Sequence, residues 1–310
     1  MKLIYSSLFI VFLLTGCGHN KQLSITQVSD ALVTNAVPYK TEIPFTAGFR
    51  YSVYGTRHLN VTNPSYWTNV GQEMSSKFDE SVPSSVWILG TLSGDGIYLN
   101  FPAKVNHELI KTAETDFNEA IFNEMDKQGF KIWLQVEPGN APVDELIKIV
   151  LDKYHGHSCI LGFGVDVEWF QSVDRPDGKA ISDKQAKEWL ELVRSYNPEY
   201  RLFLKHWLEE KMPPNYRHGL VFINDGQSLE SLEDMVADFK EWGSYFSDGQ
   251  VGFQFGYNSD KKWWGQFDDP AKLIGDELCQ NIPNSIGLYW VDFTLETVLQ
   301  PKRVDANDSK

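Results

Sequence analysis

The chain has 310 residues, with 28 basic against 42 acidic side chains and a formal net charge of −14. That surplus of acid argues against nucleic acid as a partner and against a polybasic membrane patch, because both need clustered positive charge. Ten Trp, thirteen Tyr and nineteen Phe supply aromatic area both for a core and for flat platforms against apolar sugar faces.

Lys2 opens a short apolar run from Leu3 to Leu14. The run is too short to span a bilayer, which takes about 20 apolar residues. Leu14-Thr15-Gly16-Cys17 follows, with small residues just before a Cys. This order is the signature of a lipoprotein signal peptide, so residues 1–16 are expected to be removed. Cys17 is expected to take the lipid, its nucleophilic sulfur accepting a diacylglycerol group. Its partner is then the lipid bilayer, held by about 0.8 kcal/mol per buried methylene. Gly18, where Asp would favour inner-membrane retention, points to an extracytoplasmic place in the cell envelope, on the outer membrane of a Gram-negative cell. Residues 17–42 are polar and aperiodic, ending near Pro38 and Pro44, and predict the lipidated Cys followed by a flexible tether. The remaining stretch, 43–300, is the size of one large α/β domain, and 301–310 is expected to be a disordered tail.

Apolar runs of strand length recur along that domain. Strands are predicted over Thr46–Tyr54, Ser85–Leu92, Phe130–Glu137, Ile160–Trp169, Arg201–Trp207, Leu220–Asp225, Gln250–Tyr257 and Ser285–Phe293. Amphipathic helices are predicted over Pro64–Phe78, Asn106–Gln128, Pro142–His155, Asp183–Tyr196, Leu229–Phe246 and Pro270–Gln280. Ser182-Asp183 and Asn140-Ala141-Pro142 supply helix-start signals. Gly90, Gly94 and Gly96 lack nucleotide-binding spacing and predict a turn. Eight strands alternating with helices predict a (β/α)8 TIM barrel, with an open doubly wound sheet as the alternative. In a barrel, Cys159 and Cys279 fall on opposite sides, beyond the roughly 7 Å a disulfide tolerates, and are expected to be buried free thiols.

Period-two alternation sorts inward from outward side chains. Phe130, Ile132, Leu134 and Val136 should meet helices, leaving Lys131, Trp133, Gln135 and Glu137 inside. Phe163, Val165 and Val167 should do the same, leaving Gly162, Gly164, Asp166 and Glu168 inside. Arg50 and Ser52 on the first strand, Gln254 on the seventh, and Trp290 and Asp292 on the eighth are expected inward. Lys205, His206, Trp207, Asn224 and Asp225 end the fifth and sixth strands. Polar groups at C-terminal strand ends are costly unless paired, and that rim is where barrel enzymes place their sites. A purely structural network, with Arg50 and Lys131 neutralising the acids, is the competing expectation. His155 and His157 flank Gly156 without an evident third ligand, and Lys205 is expected in an ion pair. Neither a metal nor a cofactor is expected.

Asp166-Val167-Glu168 carries the chemistry. Two carboxyls on one strand face raise one another's pKa, so one can keep a proton to donate to a glycosidic oxygen while the other steadies developing positive charge. Gly162-Phe163-Gly164-Val165-Asp166-Val167-Glu168 resembles the strand-four motif of family-18 chitinases, D-x-x-D-x-D-x-E, with Leu161 and Gly164 in the places of the first two Asp. It also resembles the D-x-E of family-25 lysozymes, whose first strand is similar to Gly48-Phe49-Arg50-Tyr51-Ser52, with Arg50 where that family has Asp. The resemblance implies Glu168 as proton donor and Asp166 as its assistant, placing a substrate N-acetyl group in the family-18 case. The expected activity is a surface-anchored glycoside hydrolase acting on a polysaccharide; the alternative is a non-catalytic carbohydrate-binding lipoprotein on the same scaffold. Glu137, Asp292, Gln254, Tyr257, Trp290, Trp207 and Arg50 are the candidate substrate contacts. Trp169, Trp263 and Trp264 are further stacking candidates.

Cys17→Ser should abolish incorporation of labelled palmitate and move the protein from the membrane pellet to the soluble fraction. Unchanged labelling and pelleting would refute the lipid anchor.

Overall fold

The computed structural model describes residues 43–55 and 62–299. The expected leader, lipidated Cys17 and tether, and the expected tail, lie outside the described residues.

Ten strands form one sheet: β1 (Thr46–Tyr51), β2 (Val82–Ser93), β3 (Gly96–Leu99), β4 (Ile110–Thr112), β5 (Lys131–Val136), β6 (Ile160–Asp166), β7 (Arg201–Lys205), β8 (Leu220–Asn224), β9 (Gln250–Phe255) and β10 (Ser285–Val291). β1 pairs in parallel with both β2 and β10. The ring β1-β2-β5-β6-β7-β8-β9-β10 therefore closes, and the chain is a (β/α)8 barrel. Around it lie α1 (Pro64–Ser75), α2 (Asn118–Lys127), α3 (Val143–Tyr154), α4 (Asp183–Tyr196), α5 (Leu232–Tyr245), α6 (Lys261–Trp264), α7 (Pro270–Asn281) and α8 (Leu295–Val298). α4 starts where its capping residues predict: Ser182 Oγ accepts from the Gln185 N–H, and Gln185 Oε1 accepts from the Ser182 N–H.

The strands are buried on both faces and so read as largely apolar runs, broken by a few inward polar residues such as Arg50, Gln135 and Gln254. One face joins the large core beneath the helices, which includes Phe49, Tyr51, Leu134, Val136, Phe163 and Val165. The other fills the barrel with Val86, Trp133, Phe203, Val221, Ile223 and Tyr289. Trp133 meets Phe203 edge-on at 5.5 Å, and the Tyr289 hydroxyl accepts from Trp133 Nε1 at 3.0 Å. These large side chains need empty positions beside them. A Cβ on Gly164 would lie 2.0 Å from Phe203 Cζ, so only glycine fits there. This plug closes the barrel below the rim and forces polar inward residues to gather above it.

The structure revises four sequence expectations. The helix predicted over 106–128 begins only at Asn118, because Ile110–Thr112 pairs with β3 instead. β3 returns antiparallel on β2 through a turn at Gly94, whose φ of 59° suits glycine. Trp290 points outward: it packs fully buried against Trp264 and Phe255, and its Nε1 donates to Thr294 Oγ1. Its neighbour Tyr289 takes the inward place. The strand predicted to run through Trp169 stops at Asp166, and Val167–Trp169 is a 3-10 turn. Cys159 and Cys279 are both free, but Cys279 is exposed, one step past the buried stripe Ala271, Ile274, Gly275 and Leu278 of α7.

Gly164→Ala should lower stability by about 1–3 kcal/mol in urea unfolding, the usual cost of overpacking a full interior. An unchanged midpoint would mean that Phe203 can move aside.

Candidate active site

The C-terminal ends of the strands carry a charged layer directly above the plug. Asp166 on β6 is paired in register with Lys205 on β7. Lys205 Nζ lies 2.8 Å from Asp166 Oδ2 and also bonds Asp225, which follows β8. Gln135 on β5 donates to Asp166 Oδ2 at 3.1 Å. Across the mouth, Arg50 bonds Asp292 at 2.5 Å, and Asp292 also accepts from the backbone N–H and the hydroxyl of Ser52. Glu137 accepts from the Tyr54 hydroxyl at 2.6 Å and from the Leu92 N–H at 3.1 Å. The extended β2 of the hairpin thus fixes Glu137. The neutralising cation for Asp166 is Lys205, not Lys131, which reaches the Ser158 carbonyl at the opposite end of the barrel.

Charge is unbalanced here. Among the described residues, the cations acting most on Glu137, Asp166 and Glu168 are Lys205 and Arg50, and Arg50 is the one paired with Asp292. Burial by itself would lower Arg50, but Asp292 outweighs it and the guanidinium stays charged. Burial opposes charge on Lys205 too, and Asp166 with Asp225 overcomes it. Two carboxylates share that one ammonium, and burial drives the Asp166 carboxyl well above the usual carboxylate range despite Lys205. Burial also raises Glu137, against the pull of its Tyr54 and Leu92 donors.

Glu168 differs from these. It is half-buried on the 3-10 turn and makes no hydrogen bond or ion pair among the described residues. Burial first, then Asp225, Glu137 and Asp177 against the pull of Lys205, lift its carboxyl to about 7. Two surface depressions meet at this side chain. One, of about 520 Å³, is walled by Trp169 and the Leu92, Gly94 and Asp95 turn; the other, of about 310 Å³, is walled by Trp207, Asp225 and Asp238. Both fall in the roughly 300–1,000 Å³ range of small-molecule sites.

The loop that carries Asp177 is pinned from below. His206 Nδ1 accepts from the Leu208 N–H, so its proton lies on Nε2 and is donated to the Asp177 carbonyl. Burial lowers the His206 pKa, which keeps the ring neutral in that role. The ring stacks on Trp207 at 4.2 Å and so steadies that wall as well.

The remaining sequence candidates are distributed as follows. Gln254 faces inward, fully buried, with neither amide atom partnered. Tyr257 is buried beside Arg50, 5.9 Å from its ring centre. Trp263 and Trp264 donate to the Leu229 and Tyr257 carbonyls and are buried, so neither offers a platform; Trp290 is likewise withdrawn beneath the helices. Asp225 and Tyr54 were not picked out as site residues. Both stand at the ends of predicted strands, and that position was the available signal. Asp126, His157 and Cys159 bring three potential metal-binding atoms within 4.8 Å. That cluster lies at the other end of the barrel and works as a clasp: Asp126 accepts from His157, the Ser158 hydroxyl and the Cys159 N–H.

No protein-family model matches the chain, and no curated protein matches it. Among solved structures, an FMN-binding β-glucuronidase from Facaelibacterium prausnitzii is similar at 12% identity and TM-score 0.49, over 81% of this chain. The chain spans 38% of that enzyme's length. An endo-1,4-β-mannanase from Eisenia fetida matches at 9% identity and TM-score 0.48, over 80% of this chain and 84% of its own. Endo-glycoceramidase II from a Rhodococcus species matches at 6% identity and TM-score 0.49, over 80% of this chain and 73% of its own.

Lys205→Met should cost about 3–5 kcal/mol in chemical unfolding near neutral pH, because it leaves two buried carboxyls without their cation. The loss should shrink in acid, as the raised Asp166 carboxyl takes its proton. A pH-independent loss would assign Lys205 to packing alone.

Proposed function

We propose that the protein is a glycoside hydrolase with Glu168 as its general acid. The observation that carries this reading is an unpaired carboxyl, held protonated up to about 7, at the junction of two Trp-walled depressions. A glycan laid through both would place one sugar on each side of Glu168. The proton passes to the bridging oxygen as its bond to the anomeric carbon breaks. Asp225, which lines the smaller depression, lies on the side where positive charge develops on the sugar. Water supplies the new hydroxyl, and its other proton restores Glu168. Asp166 acts as a positioning residue, because Lys205 and Gln135 already occupy one of its oxygens. We further propose that the acyl chains on Cys17 hold this site at the envelope surface, facing polysaccharide outside the cell.

Glu168→Gln should reduce turnover on cleaved glycans by about 10²–10⁴-fold, the usual contribution of a general acid, with binding retained. Wild-type rates should fall as pH rises through about 7, following loss of the Glu168 proton. Stability should follow the same group. Its folded pKa lies above the ordinary 4.5, so the folded chain holds the extra proton, and ionisation penalises the fold as pH climbs from 4.5 to about 7. Glu168→Gln should therefore raise the melting temperature above that window and leave it unchanged below. A wild type that binds glycans of every charge class yet cleaves none would convert the proposal into a binding protein.

A further inference from the structure

The clasp between α2 and the start of β6 brings together more chemistry than a clasp needs. Asp126, near the end of α2, accepts from the His157 ring at 2.7 Å, the Ser158 hydroxyl at 3.0 Å and the Cys159 N–H at 2.7 Å. The Cys159 thiol faces the same carboxylate and the Phe122 carbonyl, 3.9 Å from Sγ. A carboxylate oxygen, an imidazole nitrogen and a sulfur thus lie within 4.8 Å of one another. Tetrahedral zinc holds such atoms at about 2.0–2.3 Å, which sets neighbouring ligands about 3.3–3.8 Å apart. The contacts here bracket that spacing, so small side-chain rotations are enough to admit an ion.

We propose that Asp126 Oδ2, His157 Nδ1 and Cys159 Sγ bind a zinc ion, with water in the fourth place. Imidazole and thiolate together suit zinc. The outer partners that orient such ligands are already present. Asp126 Oδ1 is held by Ser158 and the Cys159 N–H, which leaves Oδ2 for the ion. His157 Nε2 faces Glu119 Oε1 at 3.6 Å, so the ring can carry its proton there and turn a bare Nδ1 to the metal. Binding releases the thiol proton to solvent, moves the imidazole proton from Nδ1 to Nε2, and transfers no electron. The resulting thiolate and carboxylate balance the two charges of the ion. Burial and then Asp126 raise the thiol's pKa, and a bound cation reverses that penalty. The Asp126 and Glu119 side chains are partly exposed and give the ion a way in. The ion staples α2 to β6 at the end of the barrel away from Glu168, so the inference does not depend on the hydrolase reading.

The test uses the full chain, stripped with a chelator and titrated with zinc or cobalt(II) alone. One equivalent of cobalt should give a thiolate charge-transfer band and the visible absorption of a four-coordinate ion. One equivalent of zinc should bleach both and raise the melting temperature. Cys159→Ser keeps a hydroxyl for Asp126 and so preserves the clasp; it should lose the charge-transfer band and bind zinc more than about 100-fold more weakly. His157→Gln, whose amide still donates to Asp126, repeats the comparison if the Ser variant does not fold. Glu119→Gln should keep the band and weaken zinc about 10–100-fold, the usual effect of losing an outer partner. A wild type that shows no charge-transfer band with cobalt, or a folded Cys159→Ser or His157→Gln that holds zinc as tightly as the wild type, overturns the proposal and leaves a hydrogen-bonded clasp.

Discussion

The mouth of this barrel depends on one ammonium group. Lys205 stands between Asp166 and Asp225 and so ties the ends of β6, β7 and β8 together. Burial opposes charge on both partners, so the pairing matters most when it is broken: stranding one buried charge costs about 3–5 kcal/mol. It also sets the proton economy of the rim. One positive charge cannot offset two carboxylates, and the remainder acts on the neighbouring acids. Glu168 is raised to about 7 first by its own burial and then by the Asp225 carboxylate, against the pull of Lys205.

The rim is expensive to keep. Asp166 Oδ1, Asp225 Oδ1, Gln135 Oε1 and both amide atoms of Gln254 are buried without protein partners. Unpaired buried polar atoms cost roughly 1–3 kcal/mol each where water does not reach them. The apolar layers carry that cost. Trp133, Phe203 and Tyr289 plug the barrel, and stacked pairs such as Tyr51 with Trp87 at 4.0 Å and Phe222 with Phe246 at 4.0 Å seal its outer face. A scaffold so heavily packed with aromatic side chains can hold several unsatisfied polar groups at one end and still fold.

The barrel was legible in the sequence because largely apolar runs of strand length recur between helices that each carry one apolar stripe. Parity was legible wherever one face was plainly polar, as with Gln135 and Glu137 against Leu134 and Val136. It failed where both faces are apolar. In Leu288-Tyr289-Trp290-Val291 alternation gives a period but no phase. The hydroxyl of Tyr289 found Thr46 and Trp133 inside the barrel, and Trp290 went out beneath the helices. The β3–β4 pairing was missed because a three-residue strand such as Ile110–Thr112 has too few positions to show a period. Tyr54 ends a predicted strand, but nothing ties it to its partner Glu137, 83 residues away.

The end of β6 shows how one local detail sorts two adjacent acids into different roles. Strict alternation would put Asp166 and Glu168 on the same strand face, both within reach of Lys205 and both committed to it. The strand instead yields to a 3-10 turn at Val167. Asp166 stays in register with Lys205 and is committed to it, whereas Glu168 is carried up and over the rim, outside every ion pair. Only a carboxyl that is near the cluster but not bound by it can feel the surplus charge and still exchange a proton with a ligand. The turn, more than the D-x-E spacing itself, separates the acid that can donate from the acid that holds the mouth together.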